Sequence, residues 1–457
     1  MTRCRPGRAA GAAASLLAAA LAACAPAPGP APAPIDPALA LATFDSAWSR
    51  IHNTYYDTTF KGMSWTGVRD ELRPRVEAAR TEGEVRAVIR EMLERIGDSH
   101  FALIPRQAAD ALDPDAIRSG DGVPADAGVE LRVVDGAVTV FRVTDGGPAE
   151  VAGVRPGWIL TGAGGWEAAP ALEALAALDN DAARRGAEME LAMGAAARLR
   201  GREGSTVAAR FVDGAGAAVE RAIALRPVPG EPVRFGNLPT VFVEVEHERI
   251  GTGSDCVGVV RFNIWMPQIR EGFGRAVDEL AGCRGMIVDL RGNPGGAGGL
   301  AMGVAGAFLD ETVPFGVMRT RQQDLRFVSI PRRVTQDARP TRPFTGPLAI
   351  LVDGHSASTS EIFAAGMQAI GRARVFGETS PGMALPAMML RLPNQDVLYH
   401  AFADFTDPRG VRIEGRGAVP DQPVPLTRAD LLAGRDRAQE AAIEWIRSTH
   451  RTDMENR

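Results

Sequence analysis

The chain has 457 residues, of which 45% are hydrophobic, 23% charged and 6% aromatic. This globular composition covers more residues than one hydrophobic core usually organises, so we expect two or three domains. The formal charge of −5 provides no basic excess to neutralise phosphates, which disfavours nucleic acid as a partner. Lys61 is the one lysine among the 51 Lys and Arg residues.

The N-terminus has the pattern of an export signal. Three arginines in the first eight residues precede an Ala- and Leu-rich run over residues 9–23, which is too short for a spanning helix. The run ends in Leu21-Ala22-Ala23-Cys24, which resembles the lipobox of bacterial lipoproteins. We therefore predict a signal peptide over 1–23 and lipidation of Cys24. The alternative is an ordinary signal peptide that happens to contain a cysteine.

Residues 24–36 are rich in proline and alanine, a composition that favours extended chain and does not pack a core. This segment is predicted to be a tether between the lipid anchor and the folded part. Together these features predict a protein of the bacterial cell envelope, lipid-anchored to a membrane and facing the periplasm.

Residues 37–115 are predicted to form a helical domain. Two sets of apolar residues recur at steps of three and four, as on one face of a helix. The sets are Leu41, Phe44, Trp48, Ile51 and Tyr55, and Val85, Ile89, Met92 and Ile96. Gly97 is a usual helix stop, and the polar cluster Asp98-Ser99-His100 follows it at the mouth of a loop.

Residues 120–228 change to short alternating runs typical of strands. A glycine-rich loop, a strand, the segment "GGPAEVAGVRPGWIL" and a later helix resemble a PDZ domain, with another small β-sandwich as the alternative. The resemblance implies that amides of Ala127, Gly128 and Val129 bind the terminal carboxylate of a peptide.

Residues 240–457 are predicted to be an α/β catalytic domain that ends in a helix. Strands at 257–264 and 286–290 flank a helix, which implies a parallel, right-handed unit. A buried strand at 348–352 is followed by a helix over 359–370, and further strands are predicted at 374–376, 388–392 and 397–405.

Two turns at the ends of buried strands have the composition of a reactive site. The first, Asp289 to Gly296, lacks the Gly-Lys-Ser/Thr of a phosphate-binding loop, and its amides suit an oxyanion. The second, Asp353 to Glu361, puts serines at a helix N-terminus, where negative charge is stabilised. Two alternatives are a capping box formed by Ser358 and Glu361, and a nucleophile elbow centred on Ser356.

The segments "GMIVDLRGNPGG", "LAILVDGHSASTSEIFAAGMQAIGRARVFGETSPG" and "EGRGAVPD" resemble, in order and spacing, the C-terminal processing and tricorn-like serine peptidases of family S41. The resemblance implies a multi-domain α/β protein with a ClpP/crotonase-like catalytic core, a PDZ-like domain and an N-terminal helical domain. It also implies that Ser358 is the nucleophile and that neither a cofactor nor a metal is needed.

The processing-protease branch of the family uses a Ser-Lys dyad, but Met383 stands where that lysine would be. A thioether cannot accept a proton, and Lys61 lies in the helical domain, so the dyad is excluded. The tricorn-like branch instead implies His100 as the base, Ser99 before it and Glu414 as the carboxylate that orients it.

Five other histidines are alternatives or bystanders. His355 and His400 are less favoured candidates for the base, while the remaining three are predicted at the surface: His52, His247 and His450. For the oxyanion hole, the family match implies the amide of Thr359 and one glycine of the pair Gly295 and Gly296.

The sequence thus predicts an exported serine endopeptidase that cleaves peptides or unfolded proteins. The alternatives are an inactive PDZ-containing binding protein and an esterase that uses Ser356. Removal of Cys4 and lipidation of Cys24 would leave Cys256 and Cys283, which precede two parallel strands at the same end of the sheet. We predict a disulfide between them, against the alternative of two reduced thiols.

Overall fold

The computed structural model describes residues 35–110, 123–234 and 240–455. The predicted signal peptide, Cys24 and the tether up to residue 34 lie outside these ranges, as do residues 111–122, where the first two predicted domains meet. Within the described ranges, no helix has both the length and the apolar character needed to cross a membrane.

The first described range is a bundle of three helices with a short strand and a short helix after it. These elements are α1 (Pro37–Thr54), α2 (Trp65–Ala78), α3 (Glu82–Glu94), β1 (Ala102–Ile104) and α4 (Arg106–Asp110). The predicted apolar faces of α1 and α3 are buried, and α2 completes the bundle. A full capping box between Thr81 and Glu84 fixes the start of α3.

The helical bundle shares its hydrophobic core with the C-terminal part of the chain. Strand β1 pairs antiparallel with Val397–Ala401, with Ala102 opposite Tyr399. Leu385, Leu392 and Leu398 complete the bundle's hydrophobic core. These contacts hold the loop before β1 against the C-terminal part of the chain.

The second described range is a β domain with one long helix. Its elements are β2 (Pro124–Asp126), β3 (Val129–Val134), β4 (Ala137–Val143), α5 (Pro148–Val151), β5 (Ile159–Ala163), β6 (Trp166–Glu167), α6 (Ala169–Ala176), α7 (Asp181–Ala197), β7 (Arg200–Arg202), β8 (Thr206–Val212), β9 (Ala218–Ala224), β10 (Arg226–Pro227) and β11 (Glu231–Val233). Strands β3, β4, β5, β8 and β9 form an antiparallel sheet in that order. Helix α7 packs on β3.

The third described range is built on one large sheet. Its elements are β12 (Val241–Val243), β13 (Val245–Ile250), β14 (Val257–Phe262), α8 (Ile269–Leu280), β15 (Gly285–Asp289), α9 (Leu300–Ala305), β16 (Val313–Thr320), β17 (Asp324–Ser329), β18 (Leu348–Val352), α10 (Thr359–Ala369), β19 (Arg374–Gly377), β20 (Ala387–Arg391), β21 (Val397–Ala401), β22 (Ala403–Thr406), β23 (Gln422–Pro423), α11 (Arg428–Leu432) and α12 (Arg437–Glu455). The sheet order is β13-β14-β15-β18-β19-β23, and all pairs except β13 with β14 are parallel.

The predicted parallel unit is confirmed, because β14 and β15 pair in parallel with α8 between them. One strand prediction is wrong: the run predicted over 397–405 is divided into β21 and β22. Strand β21 pairs with β1 and β20, whereas β22 pairs with β16 in another sheet. The alternating apolar residues predict strand character but contain no sign of the change of sheet at residue 402.

The three loops that follow β15, β18 and β19 lie side by side, because these strands are neighbours and run in the same direction. In parallel α/β sheets this carboxyl edge is the usual place for a functional site. Both turns selected from the sequence, Asp289 to Gly296 and Asp353 to Glu361, are at this edge.

A disulfide joins Cys256 to Cys283, with 4.8 Å between the two Cα atoms. Cys256 directly precedes β14, and Cys283 lies two residues before β15. Parallel pairing of Val257 with Gly285 brings the two cysteines to the same end of neighbouring strands. The bond therefore closes the strand-helix unit that begins the catalytic sheet.

We expect the double substitution Cys256→Ala and Cys283→Ala to lower the free energy of unfolding by about 3 kcal/mol, because the bond closes a loop of 27 residues in the unfolded chain. Urea unfolding of the double variant and of the oxidised wild type measures the difference. Alkylation of both thiols in denatured, unreduced wild type would contradict the disulfide.

Candidate active site

Ser358 lies where β18 turns into α10, and its backbone is strained. Its φ of 55° and ψ of −114° are rare for a residue with a side chain. Its N–H is held by two acceptors, the Met383 carbonyl at 2.8 Å and the Glu361 carboxylate at 2.9 Å. These two bonds keep the serine in a conformation that it would not adopt alone.

Three serines compete for the role of nucleophile in this turn, and only Ser358 is partly exposed. Ser356 is fully buried, and its hydroxyl donates to the Leu290 carbonyl at 2.8 Å. Ser360 is also fully buried and donates to the Asn293 carbonyl at 2.9 Å. Access therefore separates Ser358 from the Ser356 alternative.

Glu361 does more than the capping that its position predicts. The buried carboxylate accepts from the hydroxyl of Ser380 at 2.5 Å and from the N–H groups of Gly382 at 2.7 Å and Met383 at 2.9 Å, in addition to Ser358. Burial raises the pKa of Glu361 to about 7, although these four donors favour its charged form. One carboxylate thus ties the serine turn to the loop after β19.

Two backbone amides near Ser358 are candidates for binding an anion. Among the described residues, no hydrogen bond uses the N–H of Thr359 or of Gly296, and Gly296 is exposed. The N–H of Gly295 instead donates to Asn293 Oδ1 at 3.0 Å. A side chain at Gly295 would collide with Ser358, since its Cβ would lie 2.6 Å from that of the serine.

His100, Ser99 and Glu414 form a hydrogen-bonded chain. His100 Nδ1 lies 2.7 Å from Ser99 Oγ, which donates to Glu414 Oε2 at 3.0 Å. The Ser99 N–H also donates to Glu414 Oε1 at 3.1 Å, and the Ala384 N–H donates to Oε2 at 2.8 Å. The structure thus joins residues that are 315 positions apart in the chain.

The chain of bonds sets the tautomer of the imidazole. A serine hydroxyl has one proton, so Ser99 Oγ, which gives it to Glu414, accepts from Nδ1–H of His100. Nε2 is then unprotonated and can accept a proton. Burial lowers the pKa of His100 to about 4 and raises that of Glu414 to about 7.

Consecutive residues link the serine to this chain of bonds. The Met383 carbonyl accepts from Ser358, and the next amide, that of Ala384, donates to Glu414. Met383, at the position of the family lysine, therefore contacts Ser358 through its backbone carbonyl.

The remaining histidines are placed as follows. His400 is buried in β21, and burial lowers its pKa to about 4; burial and Arg132 lower the pKa of the buried His355 to about 3. His247 pairs with Glu279 across 2.9 Å, and the side chain of His450 lies outside the described ones. The surface prediction for His52 is wrong, because its ring stacks on Trp48 at 4.8 Å and packs near Phe60.

The sequence did not indicate Arg132, which comes from strand β3 of the β domain. Its Nε donates to Asp353 Oδ2 at 2.7 Å, and both side chains are buried. Asp353 also accepts from the N–H groups of Gly292 and His355. Burial opposes ionisation, yet Arg132 and these donors hold the pKa of Asp353 well below its usual range. Nothing in a run of alternating strand residues marks this arginine as a partner of the serine turn.

In the loop predicted to bind a peptide carboxylate, the amides of Ala127 and Gly128 already donate to other acceptors. Ala127 donates to the Leu199 carbonyl at 3.0 Å, and Gly128 donates to Asp126 Oδ1 at 2.9 Å. Val129 belongs to β3 and is opposite Val143 of β4. The nearby carboxylate of Asp126 would also repel an anion.

Comparison with known proteins identifies two family models in the chain. Residues 256–424 match Peptidase family S41, which covers the loops that contain Ser358 and Glu414. Residues 41–94 match the Tricorn protease C1 domain, which covers the three helices directly before Ser99 and His100.

Two curated relatives match most of the chain. A carboxyl-terminal-processing protease from Picosynechococcus sp. is 26% identical over 412 residues, covering 88% of this chain and 87% of that protein. The chloroplastic carboxyl-terminal-processing peptidase 2 of Arabidopsis thaliana is 25% identical, covering 84% of this chain and 68% of that protein.

Solved structures share the fold. The photosystem II D1 C-terminal processing protease superposes with a TM-score of 0.55 at 23% identity, over 85% of this chain and 93% of that one. Mature CPAF gives a TM-score of 0.58 at 11% identity, over 87% of this chain and 94% of that one. The predicted multi-domain α/β fold is confirmed. The matched S41 domain over residues 256–424 and the curated relatives show that the protein is a serine peptidase with an S41 catalytic domain.

Proposed function

We propose that the protein is an endopeptidase that cleaves peptides or unfolded proteins with Ser358 as nucleophile and His100 as base. The hydrogen-bonded chain from His100 through Ser99 to Glu414 is the observation that carries this proposal. A serine hydroxyl needs for activation a neutral imidazole with an unprotonated Nε2, and here Glu414 orients that imidazole through the hydroxyl of Ser99.

In the proposed reaction, Ser358 Oγ attacks the substrate carbonyl while His100 Nε2 takes its proton. The imidazolium keeps its Nδ1–H bond to Ser99, whose hydroxyl remains bonded to Glu414. The tetrahedral oxyanion accepts from the amides of Thr359 and Gly296. Its collapse expels the amine, which takes the proton from Nε2, and a water molecule then hydrolyses the acyl-enzyme by the same route.

Because the amide of Gly295 is engaged while Gly296 is an exposed residue whose N–H has no partner among the described residues, Gly296 is favoured as the second donor of the oxyanion hole. Gly295 has a different, steric role, because only a residue without a side chain fits beside Ser358. Both glycines are needed, but for separate reasons.

The esterase alternative through Ser356 is disfavoured by the burial of that hydroxyl and by its bonds to Leu290 and Asp353. The inactive binding protein is disfavoured because the bonds among Ser99, His100 and Glu414 are complete without a lysine. The same observation supports the tricorn-like Ser-His-Glu arrangement over a Ser-Lys dyad.

We expect a fluorophosphonate probe to label wild type at Ser358 and to leave Ser358→Ala unlabelled, as mass spectrometry of the modified peptide will show. His100→Ala should lower kcat by about 10³-fold or more. Met383→Ala is the matched control, because its backbone bonds remain, and it should retain most activity. Labelling at Ser356, or an inactive Met383→Ala beside an active His100→Ala, would overturn the assignment.

We expect kcat/KM to fall as the pH drops through about 7. Glu414 must be ionised to accept the hydrogen bond of Ser99 and so orient His100, and burial raises the pKa of Glu414 to about 7. Protonation below that pH removes the active form. His100 stays neutral down to about pH 4, so its protonation does not cause the fall in kcat/KM near pH 7. Steady-state kinetics of wild type and of Glu414→Gln from pH 5 to 9 measure the effect. The Glu414→Gln variant should not show the fall in kcat/KM near pH 7. A wild-type midpoint below pH 5 would contradict it.

We also propose that the β domain is PDZ-like and binds substrate C-termini at the loop of Ala127, Gly128 and Val129. The antiparallel sheet with α7 packed on β3 supports the domain type. Binding of a carboxylate there requires Gly128 to exchange its bond to Asp126 for one to the peptide.

Asp126→Ala should therefore raise the affinity for a peptide with a free C-terminus and leave the amidated form unchanged, as fluorescence anisotropy would measure. Asp213→Ala is the matched control, because Asp213 accepts two backbone N–H bonds at another turn of the same domain. Equal binding of both peptide forms by all three proteins would remove the proposal.

Export and a lipid anchor at Cys24 remain part of the proposal. They are supported by the arginine-led apolar run, the Leu-Ala-Ala-Cys sequence and the proline-rich segment after it. On this proposal the peptidase faces the periplasm from a membrane surface.

A further inference from the structure

Lys61, excluded above as a catalytic base, has a defined place in the structure. It lies in the turn Phe60–Gly62 between α1 and α2, with a φ of 56°. Its Nζ forms an ion pair with Asp98 Oδ1 and also donates to the Ile96 carbonyl at 3.2 Å. The lysine is 46% exposed, whereas the carboxylate that it meets is only 6% exposed.

Asp98 collects two further donors on its other oxygen. The hydroxyls of Tyr55 and Tyr56 donate to Oδ2 at 2.5 Å and 3.0 Å. Burial and the charge of Asp98 hold the pKa of Tyr55 well above its usual value, so this phenol keeps its proton. The carboxylate is therefore hydrogen-bonded to one cation and two hydroxyls, all from the segment after α1, and the charge of Arg412 also acts on it.

The cluster of Lys61, Asp98, Tyr55 and Tyr56 adjoins both segments that carry the proposed base and its carboxylate. Asp98 is followed directly by Ser99 and His100, and His100 has a φ of 63°, a conformation that neighbours must hold in place. On the other side, Arg412 Nη2 donates to the hydroxyl of Tyr56 at 2.9 Å, two residues before Glu414.

We propose that Lys61 is a positioning residue that acts through Asp98 to hold Ser99 and His100 in their reactive geometry. The inference rests on the proposed function, in which His100 is the base. Among the described residues, Lys61 has no hydrogen bond or ion pair with the serine turn or with a proposed substrate site, so its effect should fall on kcat and leave KM unchanged.

Loss of the Lys61 charge leaves the buried Asp98 carboxylate hydrogen-bonded to two neutral donors, with Arg412 as a cation that does not bond to it directly, and a buried charge without its bonded counterion is costly. Loss of the ion pair therefore favours displacement of the turn that contains His100. A displacement of about 1 Å in a catalytic group can reduce turnover by about 10²-fold, so we expect a fall in kcat of about 10- to 100-fold.

Because the chain has one lysine, amine chemistry can test this on the folded protein. Acetylation removes the charge of Lys61, whereas reductive methylation keeps it. We expect acetylated wild type to show the fall in kcat at unchanged KM, and methylated wild type to stay near untreated enzyme. Lys61→Arg, which keeps a cation but no reactive amine, should be active and insensitive to acetylation.

Lys61→Met should reproduce the loss seen on acetylation. Arg75→Met is the matched control, because it removes another partly exposed ion pair of the same bundle, that with Glu91, and should retain wild-type kcat. Circular dichroism before and after modification monitors folding. The proposal is overturned if acetylated wild type keeps its kcat, or if methylation costs as much as acetylation. Full activity of His100→Ala would instead refute the proposed function and leave the two failures distinguishable.

Discussion

The site depends on the hydrogen bonds of one carboxylate, that of Glu414. It accepts from Ser99 on the loop between the helical bundle and β1, and from Ala384 on the loop after β19. These bonds connect the loop of His100, which follows the helical bundle, to the loop that contacts Ser358. Antiparallel pairing of β1 with β21 provides the rigid support, because it fixes the chain directly after His100.

Buried carboxylates recur around this centre in the same structural role. Asp98, Asp353, Glu361 and Glu414 each accept at least three hydrogen bonds, mostly from loops. Loop N–H groups that are removed from water need acceptors, and one carboxylate can satisfy several at once. The cost of burying each charge is offset by these donors, and what results is a set of loops held in strained but defined conformations.

All three parts of the chain contribute hydrogen bonds to the serine turn or to the loops beside it. The helical bundle contributes Ser99 and His100, and the β domain contributes Arg132, which pairs with Asp353 in a buried contact. Arg185 of α7 adds a bond to the Ser380 carbonyl in the loop that contacts Ser358. Movement of the helical bundle or of the β domain would therefore displace the loops around Ser358.

The sequence alone determined the elements and the chemical types of the site. Apolar spacing predicts α1, α3 and the parallel strand-helix-strand unit, and the position of two cysteines before that unit's strands predicts their pairing. Local patterns suffice for these features because helix faces, buried strands and turns are decided by residues close in sequence. The resemblance to a peptidase family added the choice of Ser358, His100 and Glu414 from many serines, histidines and carboxylates.

Only the tertiary structure decided which groups are accessible, charged or engaged. Ser356 and Ser358 are equivalent in sequence, but burial leaves one of them exposed. The amides of Gly295 and Gly296 differ because an asparagine two residues away binds only the first. The contact of Arg132 with Asp353 joins positions 221 residues apart. Such pairings depend on how whole elements pack, and no local pattern in the chain encodes them.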